Sequence, residues 1–216
     1  MAALHRIILR VSDSTLVIPR FPFRFEDPWA LPPSAPVVEL LRVTDGAAPR
    51  LRTSVVVYCD DQHLNLLYRA QDDEVVATYL EHDQPLWEED VVEVFLAPDE
   101  ARTYFEIEVN PLGTTFDARI ESPDGVRASM RAELSWTCDG LFAAIRRRDD
   151  LVETIVRIPF ASVSPAAPRA GDRWRANFFR VDRSATHGDE YSAWQPTMNT
   201  PPDFHVVACF GSLLFG

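Results

Sequence analysis

Within Trp87-Glu88-Glu89-Asp90-Val91-Val92-Glu93-Val94-Phe95, a large aromatic and three consecutive acids run into an apolar segment that alternates with period two. If Val92 and Val94 face a core, Glu93 turns to the opposite, open face of the same strand, and Trp87 can lie over that face. A second cluster, Tyr191-Ser192-Ala193-Trp194-Gln195-Pro196, sits inside a long polar stretch, residues 182–203. A tryptophan in such a loop either folds inward or meets a ligand. Two indoles beside a polar strand face make a slot for a flat, amphipathic ligand. Sugars fit that description, because their C–H faces stack on indole while their hydroxyls need carboxylate, amide and guanidinium partners. The bland alternative makes Trp87 a plug at a sheet end and Glu93 a solvated charge; composition alone leaves both open.

Other chemistries find less support. Glu93 with Glu106 or Glu108 could bring two carboxylates to the separations of about 5–9.5 Å that glycosidases use. Acids are abundant, however, at 33 residues, and nothing marks one for a raised pKa, so the expectation is a non-catalytic protein. There is no GxSxG elbow and no Cys/His spacing that suggests a nucleophile. His5, His63, His82, His187 and His205 never fall at metal-motif spacing. The pairs Asp60-Asp61, Asp72-Asp73 and Asp149-Asp150 offer oxygen atoms to calcium, but solvated turns explain them better. Cys59, Cys138 and Cys209 are too sparse for a disulfide framework and read as small buried hydrophobes. All 21 basic residues are arginine, which removes Schiff-base lysines and the lysine of a phosphate-binding P-loop. The net charge of −12 and the absence of a basic stripe exclude a general nucleic-acid binder. The charge also disfavours anionic ligands and leaves neutral sugars unaffected. No apolar run reaches the length of a membrane span, and the N-terminal run lacks a signal-peptide pattern, so the expected location is cytoplasmic.

The elements that would position these residues are short strands. Seventeen prolines among 216 residues sit between apolar runs rather than inside them, which ordinary helices would not survive. Period-two segments predict strands at 53–59, 64–69, 91–97, 103–110, 114–120, 142–146, 151–158, 173–181, 206–209 and 212–215. In the fourth of these, Phe105, Ile107 and Val109 share one face while Tyr104, Glu106, Glu108 and Asn110 share the other, the pattern of a half-buried strand. With no sustained 3.6-residue period and no internal repeat, the chain predicts a single all-β domain, a two-sheet antiparallel β-sandwich of jelly-roll-like type. The domain proper is expected over residues 28–216, with residues 1–27 an N-terminal extension that adds a strand.

The block Trp87-x-x-Asp90-x-x-Glu93-x-Phe95, followed by Tyr104-Phe105-Glu106 running to Asn110-x-x-Gly113, resembles the family 9 carbohydrate-binding modules. Ile158-Pro159-Phe160, Trp174-Arg175-Ala176-Asn177-Phe178-Phe179-Arg180, Tyr191-x-x-Trp194, Phe204-His205 and Phe210-Gly211-x-Leu213 extend the likeness in the same order. The resemblance implies a β-sandwich that binds the chain ends of neutral oligo- or polysaccharides between two tryptophans, which by motif position are Trp87 and Trp194. It places the family's hydrogen-bonding acid on Glu93 and its strand asparagine on Asn110. Arg175, Asn177 and Arg180 are the polar candidates of a later strand. It also implies structural calcium, at residues the sequence does not mark. One position departs: two residues before the asparagine, sugar-binding members carry arginine, and here stands Glu108. That change replaces a fork of donors with an acceptor.

Three readings follow. The first is a non-catalytic sugar-binding module. The second is a sandwich of the same fold that has lost its sugar and is structural or binds a protein partner. The third is a glycoside-active enzyme using Glu93 with Glu106 or Glu108. Trp194 discriminates between the first two, since a Trp194 folded into the core cannot line a slot.

Overall fold

A computed structural model describes residues 15–216. Alternation of apolar and polar residues, broken by proline and glycine turns, produces fourteen strands and a single turn of α-helix. They are β1 (Thr15–Ile18), β2 (Val37–Glu39), β3 (Leu41–Arg42), β4 (Thr53–Cys59), β5 (His63–Gln71), β6 (Val91–Ala97) and β7 (Thr103–Val109). After these come β8 (Thr115–Glu121), β9 (Arg131–Glu133), β10 (Phe142–Arg148), β11 (Leu151–Pro159), β12 (Arg173–Asp182), β13 (Glu190–Ala193) and β14 (Gly211–Phe215), with α1 at Phe160–Val163. Residues 207–209, expected as part of a strand, form a 3-10 turn. The strands make two sheets, one of nine strands in the order β1-β14-β12-β6-β7-β8-β9 with β13 and β3 branching from β12, and one of five in the order β10-β11-β5-β4-β2. The fold is a β-sandwich.

The main core lies between the sheets. Val92, Val94 and Leu96 of β6, Phe105, Ile107 and Val109 of β7, and Trp174, Ala176 and Phe178 of β12 meet Val55, Val57, Leu64, Leu66, Tyr68, Val156 and Ile158 from the smaller sheet. Burial of such side chains is worth roughly 1.5–3 kcal/mol each. Polar contacts also cross this layer: the Tyr68 hydroxyl donates to the main-chain carbonyl of Glu93 at 2.6 Å. Near it, buried Arg180 donates to Thr53 Oγ1, to the Gln71 carbonyl and to the carboxylates of Asp72 and Asp182, tying the two sheets together at one end.

Both outer faces are covered. On the small sheet, Val56, Leu67 and Ile155 pack under Phe23, Trp29 and Leu31 of the proline-rich N-terminal segment, and the Arg146 guanidinium lies 4.0 Å over the Trp29 ring. On the large sheet, Phe95, Tyr104, Phe116, Ile120, Phe179 and Val181 form a second cluster roofed in part by Tyr79, Met130, Tyr191 and Phe204 from loops. The expected half-buried β7 is therefore buried on both sides from Tyr104 to Val109. At the edge, β1 runs parallel to β14, pairing Thr15 with Ser212 through to Ile18 with Phe215. Thr15–Ile18 is the edge strand of the large sheet; residues 1–14 lie outside the described part of the chain.

Candidate functional site

Strand alternation sets the floor of the site. Because Val92 and Val94 point between the sheets, Glu93 points to the outer face of the large sheet. Antiparallel pairing places Glu93 opposite Glu108 and Phe95 opposite Glu106. The three glutamates form one cluster, each offering a carboxylate oxygen within 4.8 Å of the other two. All are buried, with Glu108 at 0%, Glu93 at 2% and Glu106 at 8% exposure. Neither oxygen of Glu108 has a hydrogen-bond partner.

Above this floor is a cavity of about 650 Å³, within the range of small-ligand sites. Its lining includes Glu93 and Glu106, with Trp87 on one side and Tyr191, Phe204 and His205 among the residues completing the walls. Trp87 lies in a 3-10 turn anchored by buried Leu86, sits edge-on against Phe116 with ring centroids 5.1 Å apart, and remains 43% exposed. The acids that follow it are scaffolding. Glu88 accepts from the Tyr79 hydroxyl, Glu89 from Thr78, and Asp90 from the main-chain N–H groups of Val76 and Arg183 at 2.6 and 2.7 Å. Arg183 spans the site, donating to the Trp87 carbonyl and to the Tyr191 hydroxyl, each at 2.6 Å.

Burial dominates the electrostatics. It pushes the Glu106 carboxyl up to about 7, and raises Glu93 and Glu108 well above the usual carboxylate range, reinforced by the negative charge of neighbouring glutamates. His205, whose Nδ1 shares a 2.6 Å hydrogen bond with the Tyr104 hydroxyl, is pushed down to about 4, first by burial and then by Arg127. It is neutral at pH 7 although its Nε2 lies 3.9 Å from Glu106.

Of the residues singled out in the sequence, Trp87, Glu93 and Glu108 come together here. The others go elsewhere. Trp194 is 5% exposed and stacks on Phe178 at 5.2 Å in the core between the sheets, so it does not stand across the slot from Trp87. The reason is parity: Tyr191 and Trp194 are three residues apart on an extended segment, and alternation sends them to opposite faces. Asn110 holds the turn after β7, accepting from the Leu112 and Thr114 N–H groups and donating to the Tyr79 carbonyl. Asn177 donates to the Gln195 carbonyl and accepts from the Gln195 N–H, pinning the chain beside Trp194. Arg175 clamps the carbonyls of Phe210 and Gly211, and Arg180 is the intersheet tie described above. The wall residues Tyr191 and Phe204 and the bridging Arg183 were not expected. Tyr191 carried a signal, being the aromatic of the same loop with the parity of the outer face.

Acids of the first two aspartate pairs are engaged within the fold. Asp60 accepts from the Gln62 and His63 N–H groups and pairs with Arg157, Asp72 pairs with Arg180, and Asp73 with Arg50. Among the described residues, only the glutamate trio and the partly exposed group His82, Asp83 and Asp117 gather three metal-ligating side chains.

Comparison with known proteins gives a consistent result. A family model described as carbohydrate-binding family 9 matches residues 45–215. A curated relative, an extracellular protein of Arthroderma benhamiae, is 26% identical over 209 residues, covering 88% of this chain and 91% of its own. Among solved structures, a candidate carbohydrate-binding protein from Bacteroides uniformis superposes with a TM-score of 0.75 at 18% identity, over 94% of this chain and 99% of its own. A family 9 carbohydrate-binding module from Caldicellulosiruptor kristjanssonii, solved with cellotriose, gives 0.66 at 12% identity over 93% of each chain. The glucose complex from the same organism gives 0.64 at 11% identity, over 94% of this chain and 95% of its own.

Proposed function

The chain belongs to carbohydrate-binding family 9, and on that premise we propose that the cavity over Glu93 binds a neutral sugar unit at an oligo- or polysaccharide chain end, stacked on a single tryptophan, Trp87. The observation that carries this reading is the half-exposed Trp87 indole at the mouth of a cavity whose floor is carboxylate. An indole offers a face for sugar C–H groups, the floor and Arg183 offer acceptors and donors for hydroxyls, and Tyr191 and Phe204 supply the apolar wall where a second tryptophan was expected. The family 9 structures solved with cellotriose and glucose support a ligand of that class.

The protein acts by binding, without catalysis. A retaining glycosidase needs an ionised nucleophile beside a protonated acid. Here burial raises all three glutamates in the same direction, toward the neutral form.

The test is tryptophan fluorescence during titration with neutral oligosaccharides. A saturable change is expected, and Trp87→Ala should weaken binding by at least about tenfold, or 1.4 kcal/mol, with the fold intact. Trp194→Phe should leave sugar affinity unchanged. The burial of Trp194 favours one competing reading, a sandwich that binds a protein partner instead. Silence toward every sugar at millimolar concentration, with the protein folded, would select it.

A further inference from the structure

The cavity above Glu93 has two unlike ends. Its polar groups gather around the carboxylate floor: His205 lies beside Glu106, and the charge of Arg127 acts on both. The other end is aliphatic. Ile120 of β8, Ala132 of β9 and Leu134 just beyond it line the same cavity, and Ala132 is the register partner of Ile120, so the two share a face. Strand β9 is the last of the large sheet and is exposed along its length, and Leu134 is 56% exposed. An exposed edge strand ordinarily carries charge. β9 does so on the face turned away from the cavity, where Glu133 pairs with Arg119 at 3.0 Å and Arg131 stands opposite Glu121. Toward the cavity it turns alanine, and leucine follows with the same parity. Alternation that leaves its apolar set outside any core points to a ligand that covers it.

We propose that the slot takes a glycoside with an apolar substituent: the sugar ring lies against Trp87 over Glu93 and Glu106, and an alkyl or aryl group attached to it lies on the shelf of Ile120, Ala132 and Leu134. The sugar half rests on the reading above; the shelf does not depend on it. A second sugar unit suits the shelf poorly. None of its three side chains can make a hydrogen bond, and none offers the aromatic face on which sugar C–H groups stack. A hydrocarbon needs neither, and each methylene taken out of water is worth up to about fourfold in affinity. Met130, partly buried at the same end of the cavity, has an unbranched thioether that can follow substituents of different shape. The cavity volume of about 650 Å³ leaves room for both parts, since pockets for drug-sized ligands span about 300–1,000 Å³.

The test is calorimetric titration of the full chain with glucose, cellotriose, and the methyl, hexyl and phenyl β-glucosides. Hexyl and phenyl glucoside should bind at least about tenfold more tightly than methyl glucoside, with the more negative heat-capacity change that marks apolar burial. Leu134→Ser and Ala132→Asp, both at exposed positions, should each cut that preference by about threefold or more. Equal affinity for the three glucosides would overturn the proposal and, with glucose still bound, leave the sugar reading standing. So would a preference untouched by both substitutions. Cellotriose bound more tightly than either apolar glucoside would also overturn it, giving the shelf to further sugar units. Hexanol and phenol bound as tightly as their glucosides, with no response to glucose or cellotriose, would overturn it together with the sugar reading, as would silence toward every probe.

Discussion

Asp90 accepts two main-chain N–H groups, yet burial pushes its carboxyl up to about 7. The folded protein therefore holds this proton more tightly than the unfolded chain does. The stability this contributes is complete below about pH 4 and is lost as the pH rises through about 7. Glu106, also raised to about 7 by burial, acts with the same sign. Among the carboxyls lowered instead are Asp60, where N–H groups and Arg157 outweigh burial, and Asp73, through Arg50. Both have finished titrating below this window. The melting temperature should fall between about pH 5 and pH 8, and Asp90→Asn should flatten the slope even though it costs a hydrogen bond. Thermal melts across that range check it, and a slope unchanged in the variant would show that Asp90 ionises normally. The residue scale also explains what the sequence could and could not show of the site. Trp87 and Glu93 were legible because one short, continuous segment relates them. Tyr191, Phe204 and Arg183 reach the cavity from distant segments, through tertiary contacts that no local pattern announces.

At the scale of elements, the strands that alternate cleanly were readable to within a residue or two: β4 and β6 at 53–59 and 91–97, and β12 at 173–182 against an expected 173–181. The short ones were not. Glu190-Tyr191-Ser192-Ala193 is polar and lies inside a loop, and it becomes β13 because β12 and β3 supply its hydrogen-bond partners. Without that strand, nothing in the sequence sends Trp194 to the inner face. The same arrangement makes a demand on β14. A Cβ at Gly211 would come within 2.2–2.9 Å of three atoms of the Trp194 ring, so glycine is required there by close approach rather than by backbone angle. Gly211→Ala should destabilise the protein by about 1–3 kcal/mol through overpacking, read as a lower denaturation midpoint. Trp194→Phe in the same background should recover part of the loss, and a double-mutant cycle with no coupling would show that the contact is not the cause.

Across the whole molecule, sheet and loops divide the labour. The sandwich supplies a rigid floor, locked from behind by Tyr68 on the Glu93 carbonyl, while loops from separate regions of the chain raise the walls. The cavity can therefore be reshaped by loop substitution without disturbing the core. The edge of the large sheet has a mechanical consequence. Because β1 and β14 run side by side in the same direction, tension applied between residue 15 and residue 215 pulls the two strands past each other lengthwise. All four paired positions, and the Gly216 N–H on the Ile18 carbonyl, bear the load at once instead of peeling one by one. Stretched along that axis, the domain resists as a shear clamp, holding its shape under a pull that would unzip a hairpin.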